Sequence, residues 1–292
     1  GAEAELLFGE NLGNFISTNA KLTADENLIL AKDAEILAVN RIELKATNID
    51  IKNKLQAKDI YAVATGNVNL SGDSLVIADS TLNLKAASDI ELAGKVSATQ
   101  AVLTAGSTAS TTQSSLSSVS DNLSIDAKNI NIDGNIYVEN ADFSAQNNIQ
   151  AQSNAVLSVN SDLVLSGLNL TNDALIYVAN NLTTNIGSLF NNHKLQSKSM
   201  TFNGLNSLVN SGLVFSDNNL SIAANNINNT GSLITQADLS LQISGSGDRV
   251  VNSGTIAAGQ SVSIAAQQAN INNTGNIQAV NGNLSLTTDT LN

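Results

Sequence analysis

Residues 210–224 read NSGLVFSDNNLSIAA, and residues 252–266 read NSGTIAAGQSVSIAA. Each stretch begins with an Asn-Ser-Gly triplet, continues through a short apolar run, and ends in a second run in which apolar residues occupy every other position. Alternation with a period of two places the apolar side chains of a strand on one face. Each stretch therefore predicts two brief strands and their turns, and it excludes helix as the main state.

The pattern recurs along most of the chain. The triplet Asn-Ser/Thr-Gly begins at residues 210, 229, 252 and 273, at spacings of 19, 23 and 21. The alternating run occurs earlier as well, for example at residues 41–46, 89–94 and 122–127. Strands this short cannot bury one face in isolation, so successive repeats must stack around a common interior.

Stacked repeats of this length predict an all-β fold, a parallel β-helix (β-solenoid) of about 14 rungs. Turns between its sheets need left-handed backbone conformations, which Gly adopts freely and Asn more readily than most residues. Equivalent Asn side chains one rung apart can also form hydrogen-bonded ladders. We therefore predict a set of structural turn residues, which comprises Asn210, Gly212, Asn229, Gly231, Asn252, Gly254, Asn273 and Gly275.

Charge and composition divide the chain unevenly. Of the 38 charged residues, 29 lie in residues 1–150, whereas Asn is more frequent after residue 150, with 26 of 43. We predict an irregular, more charged β-helical region over residues 1–206, with loop excursions near 106–120 and 180–206, followed by regular repeats over 207–292. The Ser, Thr and Gln residues of the first excursion are candidate partner contacts, namely Ser107, Thr111, Gln113 and Ser115.

The residue types present limit the chemistry. The chain has no Cys, one His (His193) and a net charge of −12, so we expect no metal site, no cofactor and no nucleic-acid partner. No apolar run is long enough to cross a bilayer as a helix, and we expect no membrane insertion. The sequence Gly-Ser-Gly-Asp at 245–248 matches only part of a calcium-binding repeat and is predicted to be a turn.

The acidic and basic residues also bear on whether the chain is an enzyme. Polysaccharide-active β-helices need acidic residues on neighbouring rungs together with Arg or Lys, and Asp25, Glu26, Asp33, Glu35 and Lys32 are candidates. Outward positions of a strand repeat are, however, where ordinary solvated charges occur. We therefore expect that the chain is not an enzyme.

The stretch from Leu208 to Asn292 resembles the filamentous haemagglutinin repeat of two-partner-secretion exoproteins. The likeness is carried by Asn-Ser/Thr-Gly-x-Ile/Leu, followed by Asn/Gly-x-Leu/Val-Ser-Leu/Ile. This family includes adhesins and CdiA-like contact-dependent growth inhibition effectors. The resemblance implies a right-handed coil, an extracellular or cell-surface location, and export through an outer-membrane β-barrel partner. It also implies an internal segment of a longer polypeptide.

Three functions follow as hypotheses. The first is an extracellular shaft segment that presents a distal or C-terminal activity, such as a toxin, to target cells. The second is the receptor-binding region of a growth-inhibition effector, which would recognise an outer-membrane protein or a glycan on target bacteria. The third is a polysaccharide-active β-helix enzyme.

Overall fold

The computed structural model describes residues 3–6, 15–244 and 249–291, and these residues contain strands and turns but no helix. The short sequence at 245–248 lies outside the described residues. The strands are β1 (Glu3–Leu6), β2 (Phe15–Thr23), β3 (Asn27–Leu30), β4 (Ile36–Ala46), β5 (Asn48–Ile51), β6 (Lys54–Ala64), β7 (Val68–Leu70), β8 (Leu75–Ala86), β9 (Ile90–Leu92), β10 (Lys95–Ala105), β11 (Thr108–Thr111), β12 (Leu116–Ile132), β13 (Asn135–Ala151), β14 (Val156–Val159), β15 (Leu163–Asn172), β16 (Leu175–Asn191), β17 (Lys194–Asn210), β18 (Leu213–Ser216), β19 (Leu220–Asn229), β20 (Ser232–Thr235), β21 (Leu239–Ile243), β22 (Arg249–Asn252), β23 (Thr255–Ala258), β24 (Val262–Asn273), β25 (Asn276–Ala279) and β26 (Leu284–Leu291).

The chain folds as two compact units, Gly1–Gln146 and Asn147–Asn292, and β13 contributes residues to both. In each unit the strands pair in parallel and stack as a β-solenoid, and the two units together contain about 14 turns. The predicted fold class is therefore confirmed. The compositional boundary predicted after residue 206 falls inside β17, within the second unit.

One turn of the first unit shows the anatomy that the others follow. Residues 48–51 form its segment of a first sheet (sheet A), residues 55–57 its segment of a second (sheet B), and residues 59–64 its segment of a third (sheet C). A register shift between Ala57 and Asp59 marks the corner between sheets B and C. Strand β6 therefore passes through two sheets without interruption.

Alternation along each strand builds the interior. Ile42, Ile60 and Leu82 occupy equivalent positions in three successive turns, pair directly in the register, and are fully buried. Neighbouring positions along the same strands face outward and carry the charged side chains, as Glu43 and Lys45 do. Each turn thus buries its apolar face only because the next turn covers it.

The corner between sheets A and B alternates in length within the first unit. Four-residue turns at 31–34, 71–74 and 112–115 are each closed by a backbone hydrogen bond of 2.9 to 3.0 Å. They alternate with shorter corners, at 52–53, 93–94 and 133–134. The repeat of this unit is consequently a pair of turns, because only every second corner carries the longer connection.

The predicted loop excursion near residues 106–120 is wrong. Residues 108–111 form β11, which pairs with β9 on one side and with β12 on the other. Ala109 and Thr111 point into the interior, at the positions that Ile90 and Leu92 occupy in the preceding turn. A segment rich in Ser, Thr and Ala is therefore an ordinary turn of the solenoid here.

The predicted excursion over residues 180–206 is wrong for the same reason. Strands β16 and β17 cover this segment and pair with each other in parallel. Met200 and Phe202 alternate with outward residues and are each 1% exposed. Met200 and Phe202 therefore fill the core, whereas Phe190 faces outward and is 37% exposed.

A ladder of buried Asn side chains runs through the second unit. At the last inward position of sheet A, the side-chain amide of each Asn donates to the side-chain oxygen of the Asn in the next turn, at 2.7 to 2.8 Å. Five of the six side chains have no exposed area. The members are Asn172, Asn191, Asn210, Asn229, Asn252 and Asn273. The prediction of hydrogen-bonded Asn ladders is confirmed.

Replacement of one ladder residue tests its contribution to stability. Asn210→Leu removes the donor to Asn229 Oδ1 and the acceptor for the amide of Asn191. Because buried polar groups then lose partners, we expect the free energy of unfolding to fall by about 2–4 kcal/mol in urea titrations followed by circular dichroism.

The matched control is Asn228→Leu, which changes an exposed Asn in the same turn of sheet A as Asn229. We expect it to change the free energy of unfolding by less than about 0.5 kcal/mol. Equal effects of the two substitutions would contradict a stabilising role for the ladder.

Candidate binding surface

The predicted turn glycines are needed for a different physical reason from the one expected. The only glycine with a positive φ among the described residues is Gly204, at 59°, so the expectation of left-handed turn glycines is wrong for Gly212, Gly231, Gly254 and Gly275. Instead, a methyl group on Gly231 would overlap the carbonyl oxygen of Gly212, and one on Gly254 would overlap that of Gly231. These glycines stack directly on one another, and only hydrogen fits between successive turns.

The Asn residues of the same triplets also act in the interior. Asn210 is fully buried, and its amide donates to the backbone oxygens of Gly212 and Ser232 as well as to Asn229. The amide of Asn252 likewise donates to the backbone oxygens of Gly254 and Asn276. Each Asn therefore secures its own corner and the corner of the next turn.

The four candidate partner contacts are placed very differently. Thr111 and Ser115 are buried, and their hydroxyls are used inside the solenoid: Thr111 accepts from the backbone N–H of Gly134, and Ser115 donates to the carbonyl of Thr112. Ser107 is half-buried at the corner between sheets C and A. Only Gln113, in the middle of the four-residue turn, is exposed to a partner.

The residues considered for chemistry lie apart from one another. Asp25 and Glu26 precede β3, whereas Asp33 and Glu35 follow it, so the two acidic pairs occupy opposite ends of a strand. Lys32 forms an exposed ion pair with Asp73, two turns away, at 3.4 Å. His193 is exposed at a corner beside Asp173 and Asn192. Within the described residues, no group of three or more His, Cys, Asp or Glu is placed to hold a metal ion.

The outer face of sheet C in the first unit is the candidate binding surface. Its outward positions in four successive turns form a grid with three columns, and the register aligns Lys21 with Glu43 and Tyr61. The twelve positions carry four cations and two carboxylates, although the chain as a whole is acidic. The positions are Asn19, Lys21, Thr23, Arg41, Glu43, Lys45, Asp59, Tyr61, Val63, Thr81, Asn83 and Lys85.

Arg41 is the organising side chain of this face. Its Nη1 donates to Glu43 Oε1 at 3.0 Å, and its guanidinium carbon lies 4.9 Å from the centre of the Tyr61 ring. An exposed ion pair and an exposed cation–π contact each contribute at most about 1 kcal/mol. Together they favour the orientation in which Arg41, half-exposed, contacts residues of two turns of the solenoid.

Two hollows flank Arg41. One, of about 380 Å³, is lined by Lys21, Glu43, Lys58 and Asp59 as well as Arg41. The other, of about 460 Å³, is lined by Lys21, Arg41, Glu43 and Lys45 together with an apolar pair, Tyr61 and Val63, which we call its floor. The second hollow therefore combines three cations and one carboxylate with an apolar lining.

Sequence reasoning did not single out this surface. Its residues are separated by about twenty positions in the chain and become neighbours only once the pairing of the turns is known. The excess of charged residues in residues 1–150 indicates the half of the chain that contains this surface, but it does not indicate which residues lie together.

No family model, curated protein or solved structure matches the chain in sequence or fold comparisons. In the described part of the chain, no helix has the length and apolar character needed to cross a membrane.

The stacked glycines Gly212, Gly231, Gly254 and Gly275, which we call the glycine column, provide a test of the close stacking at the corners. We expect Gly231→Ala to lower the thermal midpoint by about 3–10 °C, because the added methyl group forces adjacent turns apart. Gly72→Ala is the control, since its methyl group would meet only atoms at 3.9 and 4.0 Å. A midpoint for Gly231→Ala that is unchanged, as measured by circular dichroism, would show that the corner can relax.

Proposed function

We propose that the chain is a structural shaft segment of a large secreted bacterial exoprotein of the haemagglutinin-repeat type. Its role would be to hold a distal activity, such as adhesion or toxin delivery, away from the cell that makes it. The observation that carries the proposal is the use of inward positions and corners for stacking one turn on the next, as in the Asn ladder and the glycine column. The resemblance of Leu208 to Asn292 to haemagglutinin repeats supports the extracellular assignment.

The amino-acid composition of the chain suits export through an outer-membrane β-barrel partner. It contains no Cys that could form a disulfide before passage, and no Pro that would remove a donor from the sheets. Each turn of a solenoid contacts only its neighbours, so folding can advance turn by turn as the chain emerges. We therefore propose a location outside the cell or on its surface.

A receptor-binding region of a growth-inhibition effector is the second candidate. The hollowed face around Arg41 and Tyr61 favours it, because a pure spacer has no need of an ordered cationic and aromatic surface. The partner would be an outer-membrane protein or a glycan on target bacteria. The polysaccharide-active alternative has less support, since its candidate carboxylates occupy opposite ends of β3.

An in-register deletion tests the shaft proposal in the full-length exoprotein. Removal of residues 71–111 excises two complete turns and joins Leu70 to the four-residue turn that begins at Thr112. We expect surface display, measured by antibody labelling of intact cells, to persist, and the thermal midpoint of the purified chain to stay within about 5 °C.

The control deletion removes residues 71–101, which joins an inward end of sheet A to an outward position of sheet C. We expect this deletion to abolish the cooperative thermal transition and surface display. Detection of the unmodified protein only inside cells, protected from added protease, would contradict the extracellular proposal.

A binding measurement separates the two leading candidates. Purified chain is incubated with target bacteria, and the bound fraction is followed by flow cytometry over increasing concentration. Saturable binding at micromolar concentration supports the receptor-binding region, and a linear, unsaturated signal supports the shaft.

A further inference from the structure

We propose that the outer face of sheet C around Arg41 and Tyr61 binds a linear acidic polysaccharide that carries a carboxylate on every second sugar. The inference goes beyond the structural role proposed above, and it would stand or fall separately. It rests on the spacing of the cations, the apolar floor between them, and the restraint on Arg41.

Two of the four cations of this face lie in one column along the stacking direction. Lys45, Val63 and Lys85 occupy one column in three successive turns, so the two lysines are separated by two strand spacings, or roughly 10 Å. Sugars in an extended polysaccharide advance by nearly one strand spacing each. A chain lying along the column would therefore present every second sugar to a lysine.

These lysines are available for a ligand. Lys45, Lys58 and Lys85 are exposed and form no ion pair with any residue that the structure describes. Lys21 is also on the face, but Glu5 is its register neighbour in β1. The cations without ion pairs thus lie at the rims of the two hollows and along the column that leads away from them.

The floor of the second hollow suits the sugar between two charged ones. Tyr61 and Val63 lie side by side on β6 and face outward, and one face of a pyranose ring presents C–H groups that pack on such surfaces. Glu43 and Arg41 stand beside this floor and can accept from and donate to sugar hydroxyls. Arg41 is already held by Glu43 and Tyr61, so little side-chain freedom is lost on binding.

The same features disfavour nucleic acid as the ligand. A nucleic acid carries a charge on every nucleotide, whereas the proposed polysaccharide carries one on every second sugar, so the acidic remainder of the chain, whose net charge is −12, repels a nucleic acid more strongly. This face also supplies one aromatic ring rather than a series of stacking platforms.

The test uses the complete chain and hyaluronate oligosaccharides, in which every second sugar carries a carboxylate. Neutral dextran and single-stranded DNA of similar length are the comparison probes, and binding is measured by calorimetric titration at low salt. We expect saturable binding of hyaluronate, weaker binding as salt is added, and no binding of dextran. Failure to bind hyaluronate, or DNA binding of equal strength, would overturn the proposal.

Charge-matched variants localise the site. Lys45→Glu combined with Lys85→Glu changes the net charge by the same amount as Lys95→Glu combined with Lys128→Glu, and all four lysines are exposed. We expect the first pair to weaken hyaluronate binding at least about tenfold and the second pair less than about twofold. Equal losses would show that net charge, and not this face, governs binding.

The apolar floor is tested with Tyr61→Ala, for which Tyr137→Ala, an exposed outward Tyr in the same unit, is the control. We expect several-fold weaker binding for Tyr61→Ala and none of this change for Tyr137→Ala. Circular dichroism confirms that each variant keeps its strand content. Retention of full affinity by Tyr61→Ala would overturn the assignment of the floor.

Discussion

The distance between successive turns is the constraint on which the structure depends. Parallel strands lie about 4.8 Å apart, so every residue is held at that distance from its equivalents above and below. An apolar residue satisfies this requirement with another apolar residue, as Ile42, Ile60 and Leu82 do. A polar residue in the interior needs a hydrogen-bond partner, and for buried hydroxyls such as Ser115 and Ser197 this partner is a backbone carbonyl. The Asn residues of the ladder also bond with their own kind. Asn can do so because its amide is both donor and acceptor, whereas stacked Asp residues would place like charges in contact.

Two of the three corners in each turn of the second unit apply this constraint in different ways. At the corner that follows sheet A, Asn side chains bond to one another and to the backbone, while glycine allows the chains to touch. At the corner between sheets B and C, the buried hydroxyls of Ser197, Ser216 and Thr235 donate to carbonyl oxygens of the preceding turn. The buried positions of both corners carry small polar groups, whereas long side chains such as those of His193 and Lys198 point outward. The aliphatic residues are left to fill the flat parts of the sheets.

The fold could be predicted from the sequence because the apolar alternation is local and repeated. The structure of the corners could not be predicted in this way. The Ser and Thr content of residues 106–120 predicts a loop, yet Thr111 and Ser115 are buried and their hydroxyls form hydrogen bonds inside the solenoid. The glycines were expected to adopt left-handed conformations, although crowding against the neighbouring turn is what excludes larger residues. Composition does not distinguish these cases, since the deciding contacts are made with residues about twenty positions away.

The outer face is free of the stacking constraint, and this freedom explains why the candidate site could not be predicted. Inward residues must match their equivalents in the next turn, whereas outward residues such as Arg41, Tyr61 and Lys85 need not resemble one another. Their relation depends on the register, including the shifts at the corner between sheets B and C. Because their contribution to stacking is small, substitutions there alter binding with little effect on stability. A solenoid can therefore carry a recognition surface on one face while its interior remains a repeating support.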